Sequence, residues 1–317
     1  MAFPQTPPPP PTARRAARRG HPGHGTDPAH NIRGAAIMVA SMVAFVVNDA
    51  AIKAVSETLP LYEGVALRGA VVSLILFVLV WRSSGGLDFH IGPGDRLPFA
   101  LRLVAEVAST ILYLKALQHM PLGALSAIHQ SLPLLVMLAA ALVFGERLGW
   151  HRLAAVAVGV AGVALIVRPG TAGFEHWSPV ALASVLVIVV RDIATRGLSS
   201  RVRSGTVALS AALSVTIAAV LLPGGEPWRM PTGGELGGLA IASVFLAVGY
   251  LTAVAAMRVG EVSFVSPFRY TSLVAAMIVG FLVFGEVPRL TTLAGAVLIV
   301  AAGAYSLLRE RRALRGG

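Results

Sequence analysis

From Arg33 onward the chain alternates long apolar runs with short polar breaks. A helix needs ~20 predominantly apolar residues to cross a bilayer. The pattern predicts ten such helices: 34–53, 62–81, 98–117, 122–144, 151–168, 177–196, 205–222, 236–257, 262–284 and 291–308. The breaks carry turn chemistry: Gly85-Gly86, Gly92-Pro93-Gly94, Pro169-Gly170, Gly224-Gly225 with Pro227, and Gly233-Gly234. Nothing left between the spans is long enough for a soluble domain.

Residues 1–32 differ in kind. Pro7 to Pro11 is a run of five prolines, and Arg14, Arg15, Arg18 and Arg19 follow. So little apolar surface predicts a disordered tail. The first apolar run is too long for a signal peptide and lacks a small-residue cleavage pattern. Residues 309–317 form a second basic tail.

Composition agrees with the spans. Of the 317 residues 56% are hydrophobic and 13% charged, and the mean hydropathy is +0.75. A soluble domain carries about 25% charged residues. Lipid solvates an outer face that charge does not. Cysteine is absent, which excludes disulfides and thiolate-held metals. The net charge of +11 invites a nucleic-acid reading, but nine basic residues sit in the tails or, for Arg33, directly beside one, and most others lie between apolar runs. The charge is therefore read as a topology signal. With the N-terminus cytoplasmic, the inner segments hold 17 Arg and Lys against four outside. Both termini are then cytoplasmic. Trp81, Trp150, Trp177 and Trp228 fall at span ends or in a loop, as an aromatic belt requires.

The chain repeats itself. Leu142-Val-Phe-Gly-Glu146 recurs as Leu282-Val-Phe-Gly-Glu286, offset by 140. Asp49 and Lys53, in Val47 to Lys53, recur as Asp192 and Arg196, in Val190 to Arg196, offset by 143. Each copy holds five spans, an odd number, so the second enters the membrane the other way up. The predicted fold is all-α and integral to the membrane: ten transmembrane helices as two inverted five-helix repeats, 33–170 and 171–308. Such repeats recur in alternating-access transporters, with substrate bound near the midplane between the halves.

Ten helices in two halves, each with a Gly-Glu step after its fourth helix, resemble the EamA-type family of the drug/metabolite transporter superfamily. Gly145-Glu146-Arg147, Gly285-Glu286 and the tract from Tyr113 through Ala116-Leu117 and Pro133 to Gly159 carry the resemblance, which covers about 33–308. Arg68 matches a position that the family commonly fills with Arg. Asn48-Asp49 with Lys53, Arg68 and Arg191-Asp192 look closest to bacterial members related to S-adenosylmethionine and riboflavin uptake transporters. The second half departs from the pattern: Val287-Pro288 follows Glu286, and Ser210 stands where Arg68 stands in the first half.

Candidate chemistry lies inside the spans. An ionisable residue there costs ~2.5–3.5 kcal/mol on insertion scales, so each needs a reason. Asp49 with Lys53 and Asp192 with Arg196 are i,i+4 pairs, able to form intrahelical ion pairs or to line a cavity. Arg68, within the second span, suits a substrate carboxylate or phosphate, or Asp49 as counter-ion. Glu106, near the centre of the third span and i,i+4 from Arg102, is either the carrier in proton coupling or one member of an ion pair. Pro133 and Pro267 each free a backbone carbonyl, those of His129 and Ser263, in equivalent helices. His129 corresponds to Arg269 at offset 140. Asn48, Tyr113, Gln130, Arg191, Tyr250 and Tyr270 complete the set expected at a substrate cavity. Ala155, Gly159 and Gly162 read as close helix contact.

No H-E-x-x-H, Walker lysine loop or G-x-S-x-G occurs, and no metal or cofactor is expected. The expected function is secondary transport of a small organic metabolite (an amino acid, nucleoside-like or vitamin-like solute) across the bacterial inner membrane. The alternatives are an integral-membrane enzyme and a non-transporting membrane protein. The expected partners are a small-molecule substrate, the lipid bilayer and protons as coupling ion, with a homodimer left open and no nucleic acid.

Overall fold

The structure, a computed structural model, describes residues 28–84, 91–145, 149–168, 176–199, 201–222 and 227–315. Of the expected tail 1–32, residues 1–27 lie outside the described residues, as do three of the glycine breaks (Gly85-Gly86, Pro169-Gly170 and Gly224-Gly225) and Glu146-Arg147. Pro28 to Ile32, by contrast, are helical and extend the first span, because helical hydrogen bonding propagates beyond the apolar run.

The described chain is helical. Its helices are α1 Pro28–Val55, α2 Leu61–Ser84, α3 Arg96–His119, α4 Leu122–His129, α5 Leu132–Phe144 and α6 Trp150–Val167. There follow α7 Ser178–Arg196, α8 Ser204–Leu221, α9 Gly233–Val259, α10 Val262–Val265, α11 Thr271–Phe284 and α12 Leu290–Arg315. Among the described residues nine spans are long and apolar enough to cross a membrane, and α12 adds a shorter apolar stretch, Leu290–Ser306. The tenth predicted span falls on that stretch. Large apolar side chains such as Leu142, Leu282 and Val297 stay exposed on the outside, where lipid solvates them. Residues such as Leu117, Leu125, Ile128 and Ile299 fill the interior.

The fourth and ninth spans are both broken. Pro133 has no N–H, so the His129 carbonyl loses its helical donor, and α4 closes with Gln130 N donating to the Ser126 carbonyl. In the ninth span a 3₁₀ turn, Ser266–Tyr270 with Pro267 in its first turn, separates α10 from α11. At offset 140 the two breaks coincide only at Gln130 and Tyr270, and Pro133 and Pro267 are out of register. Both spans then stop at a left-handed glycine, Gly145 (φ 69°) and Gly285 (φ 66°), a backbone conformation that costs a side-chain-bearing residue more.

Packing follows the repeat. The α1–α9 contact in one direction matches α3–α7 in the other, α2 packs on α8, and α6 packs on α12. Exchanging the first five spans with the second five leaves this pairing unchanged. In the α6–α12 contact, a Cβ added to Gly162 would lie 2.7 Å from the Gly295 carbonyl oxygen, so the two backbones touch. Polar clasps at span ends repeat too. Asp95 accepts from Ser199 N (2.8 Å) and Oγ (2.7 Å), and Glu235, offset from Asp95 by 140, accepts from Thr58 Oγ1 (2.7 Å).

Candidate functional site

Spans from both halves surround a cavity of about 370 Å³. Ten of the twelve residues expected at a substrate site line it: Asn48, Asp49, Arg68, Glu106, Tyr113, His129, Gln130, Arg191, Tyr250 and Arg269. Packing of spans from both halves gathers them, and the helical period accounts for the share of α3. On α3, Glu106, Ser109, Thr110 and Tyr113 follow the i, i+3, i+4, i+7 spacing of one face. Ser109 and Thr110 carry no charge and do not stand out within an apolar span, so that spacing is the signal that finds them.

Asp49 is held by neutral donors. Tyr113 Oη donates to its Oδ2 at 2.6 Å, and Asn48 Nδ2 donates to its Oδ1 at 2.9 Å. Arg68 Nη1 donates to Asn48 Oδ1 at 3.2 Å, so the guanidinium reaches Asp49 through the amide. Asn48 is 3% exposed, and its carbonyl and amino groups are both used, which fixes its orientation between the two charges.

His129 is anchored at both ring nitrogens. Nδ1 lies 3.1 Å from the Leu125 carbonyl oxygen, and Nε2 lies 3.0 Å from Ser184 Oγ. A carbonyl only accepts, so a ring proton on Nδ1 serves Leu125, while the Ser184 hydroxyl also donates to the Ala181 carbonyl at 2.7 Å. The ring also meets Tyr113 edge-on, centroids 4.7 Å apart. Gln130 Nε2 donates to Ser272 Oγ (2.5 Å) and to the Arg269 carbonyl (3.4 Å), tying the two broken spans together. Tyr250 is half exposed, with Phe45 edge-on at 5.3 Å.

Glu106 lies between two guanidiniums: Arg102 Nη2 and Arg191 Nη1 are each 3.4 Å from its carboxylate oxygens. Arg191 turns its other edge to Asp192 Oδ1, with Nε at 3.0 Å and Nη2 at 2.9 Å. Arg102 keeps Nε and Nη1 buried without a hydrogen-bond partner.

Two expected site residues lie elsewhere. Asp192 is outside the cavity lining and supports Arg191 from behind. Tyr270 is buried against Gly303, its hydroxyl without a partner, and lines a separate apolar cavity with Pro267, Phe268 and Val300. The expected intrahelical pairs are also corrected in part. Arg102 and Glu106 do pair. Lys53 turns away from Asp49 to Glu286 Oε1 (2.5 Å) and to the Met120 carbonyl (2.6 Å). Asp192 pairs with Arg191 and not with Arg196. Asp49 takes Tyr113 from a neighbouring helix and Asp192 takes the adjacent Arg191, and these donors replace the i+4 partner. Glu286 also accepts from Leu122 N at 2.7 Å and borders a second cavity of about 210 Å³ with Met120, Pro121 and Arg289. The repeated Gly-Glu step is the sequence signal for Glu286, although nothing in the sequence names its partner.

The profile of the EamA-like transporter family matches residues 32–168 and again 177–308. The pseudopaline exporter CntI of Pseudomonas aeruginosa is 29% identical over 170 residues, 53% of this chain and 58% of its own length. The riboflavin transporter of Rhizobium johnstonii is 27% identical over 173 residues, 53% of this chain and 55% of its own. The chain thus spans a little over half the length of the curated relatives it matches. A solved crystal structure, described only as that of a protein, aligns with 88% of this chain and 98% of its own at TM-score 0.58 and 20% identity, a likeness of fold.

Proposed function

The chain belongs to the EamA-like transporter family, and from that premise we propose that it is a secondary transporter working by alternating access. Its cargo is a small organic metabolite of amino-acid, nucleoside or vitamin-like kind, carried across a bacterial inner membrane. The halves are inverted repeats, and both termini are cytoplasmic. The pairing that survives exchange of the halves and the break in each of the two equivalent spans support this reading. So do relatives named as an exporter and as a riboflavin transporter.

One observation carries the proposal. Lys53 and Arg196 are equivalent by the repeat, and each lies over a phenylalanine of the other half: Lys53 over Phe284 at 5.1 Å, Arg196 over Phe144 at 5.0 Å. Their surroundings differ. Lys53 is 8% exposed and Arg196 is exposed. Equivalent residues in unlike surroundings fit a two-state carrier with its Lys53 end closed and its Arg196 end open. Exchanging those surroundings reverses which end admits the solute. The driving force proposed is a proton gradient acting through Glu106. Protonating that carboxylate breaks two ion pairs, releasing Arg102 and leaving Arg191 to Asp192.

The absence of cysteine makes the test direct. A single Ser126→Cys change places a thiol in the cavity. In oriented proteoliposomes, a membrane-impermeant thiol reagent is expected to label it faster from the Arg196 side. Adding Glu286→Gln should speed labelling from the Lys53 side. Equal labelling from both sides, with no response to Glu286→Gln, would overturn alternating access. Solute accumulation in the same vesicles separates a transporter from a membrane enzyme.

A further inference from the structure

The charges at the cavity do not balance. Arg68, Arg102, Arg191 and Arg269 face or support it, against Asp49, Glu106 and Asp192. Glu106 is shared by Arg102 and Arg191, and Asp192 is held by Arg191. Asp49 and Arg68 share Asn48. Arg269 is the remaining cation. Among the described residues its guanidinium makes no hydrogen bond and no ion pair, although it lines the cavity and is exposed there. Its backbone is fixed, because its carbonyl accepts from Gln130 Nε2 (3.4 Å) and Ser272 Oγ (3.0 Å).

A charge within a membrane span faces water or a partner, and it marks a pathway when the protein supplies no partner. The position at the broken centre of the ninth span places this one in the cavity. Its counterpart in the first half, His129, is a ring whose two nitrogens are both satisfied. The duplicated halves therefore present one ring held by protein groups and one guanidinium that, among the described residues, has no protein partner. Resting on the transport reading above, we propose that Arg269 receives an anionic group of the transported solute, a carboxylate or a phosphate. A guanidinium fork matches either group with two parallel N–H···O bonds. The amide of Gln130 and the hydroxyl of Ser272 stand beside it as neutral contacts.

The test uses the full chain carrying Ser126→Cys. Its labelling rate with sulfonatoethyl methanethiosulfonate, an anion, is divided by that with the cationic trimethylammonioethyl reagent, each normalised to a free thiol. The ratio is expected to fall about fivefold or more on Arg269→Gln, the scale of one charge acting through a partly wet cavity. Ser272→Asp, which supplies a counter-charge and keeps Arg269, should lower it similarly if Arg269→Gln fails to fold. An unchanged ratio in whichever variant folds overturns the proposal. Thermal-shift series of carboxylates and of organic phosphates, each beside its neutral amide or alcohol, then separate the two anions. Stabilisation by a neutral or cationic solute that survives Arg269→Gln also overturns the proposal, while accumulation of that solute would leave the transport reading standing.

Discussion

Lys53 and Glu286, 233 residues apart, meet at 2.5 Å and join the end of α1 to the segment following α11. Glu286 also takes the amide of Leu122, so one carboxylate ties three segments beside the second cavity. Removing one partner of a buried pair costs ~3–5 kcal/mol, because the other charge is left uncompensated, while replacing both with apolar residues is often near neutral. Glu286→Gln is expected to lower the detergent unfolding midpoint clearly, and Lys53→Met with Glu286→Leu to lower it less. A midpoint untouched by Glu286→Gln would mean that solvent screens the pair.

Arg68→Ala should leave the amount of protein in the membrane near normal and remove uptake. The reason is local: its observed bond is to Asn48 and not to a buried acid. Membrane immunoblots and proteoliposome uptake measured together check this. Failure to accumulate would make Arg68 a structural counter-ion.

Glu106→Gln keeps shape and hydrogen bonding and cannot release a proton. It is expected to abolish uptake driven by a pH gradient while sparing exchange between equal solute pools. Continued accumulation against the gradient would reduce Glu106 to an ion-pair partner of Arg102 and Arg191.

Gly162→Leu should nearly abolish folded protein. Its side chain would enter the Gly295 backbone across the α6–α12 contact, and overpacking costs ~1–3 kcal/mol or more where backbone must move. Size-exclusion recovery from membranes measures it. Gly94→Ala, where an added Cβ meets nothing within 4 Å, is the control.

A reporter active only in the periplasm, fused after Arg315, is expected to stay silent. Activity would mean an odd number of crossings, and the tenth span, whose apolar part is Leu290–Ser306, would be the first suspect.

Apolar run length and rare-residue repeats are local properties of the chain, so the spans, the duplication and the two proline breaks are legible in the sequence alone. Polarity inside apolar spans flags ten residues that line the cavity, but they lie on seven segments, and helix packing brings them together. Partner choice is not local. The i,i+4 rule places Asp49 beside Lys53, yet Asp49 takes Tyr113 from α3, and Lys53 takes Glu286 from the far half. The rule describes an isolated helix, where the neighbour one turn away meets little competition. In a bundle, donors and acceptors from facing helices compete for the same group, and relative helix positions decide the winner. For that reason only the tertiary structure separates paired Arg191 from vacant Arg269, and buried Lys53 from its exposed equivalent Arg196.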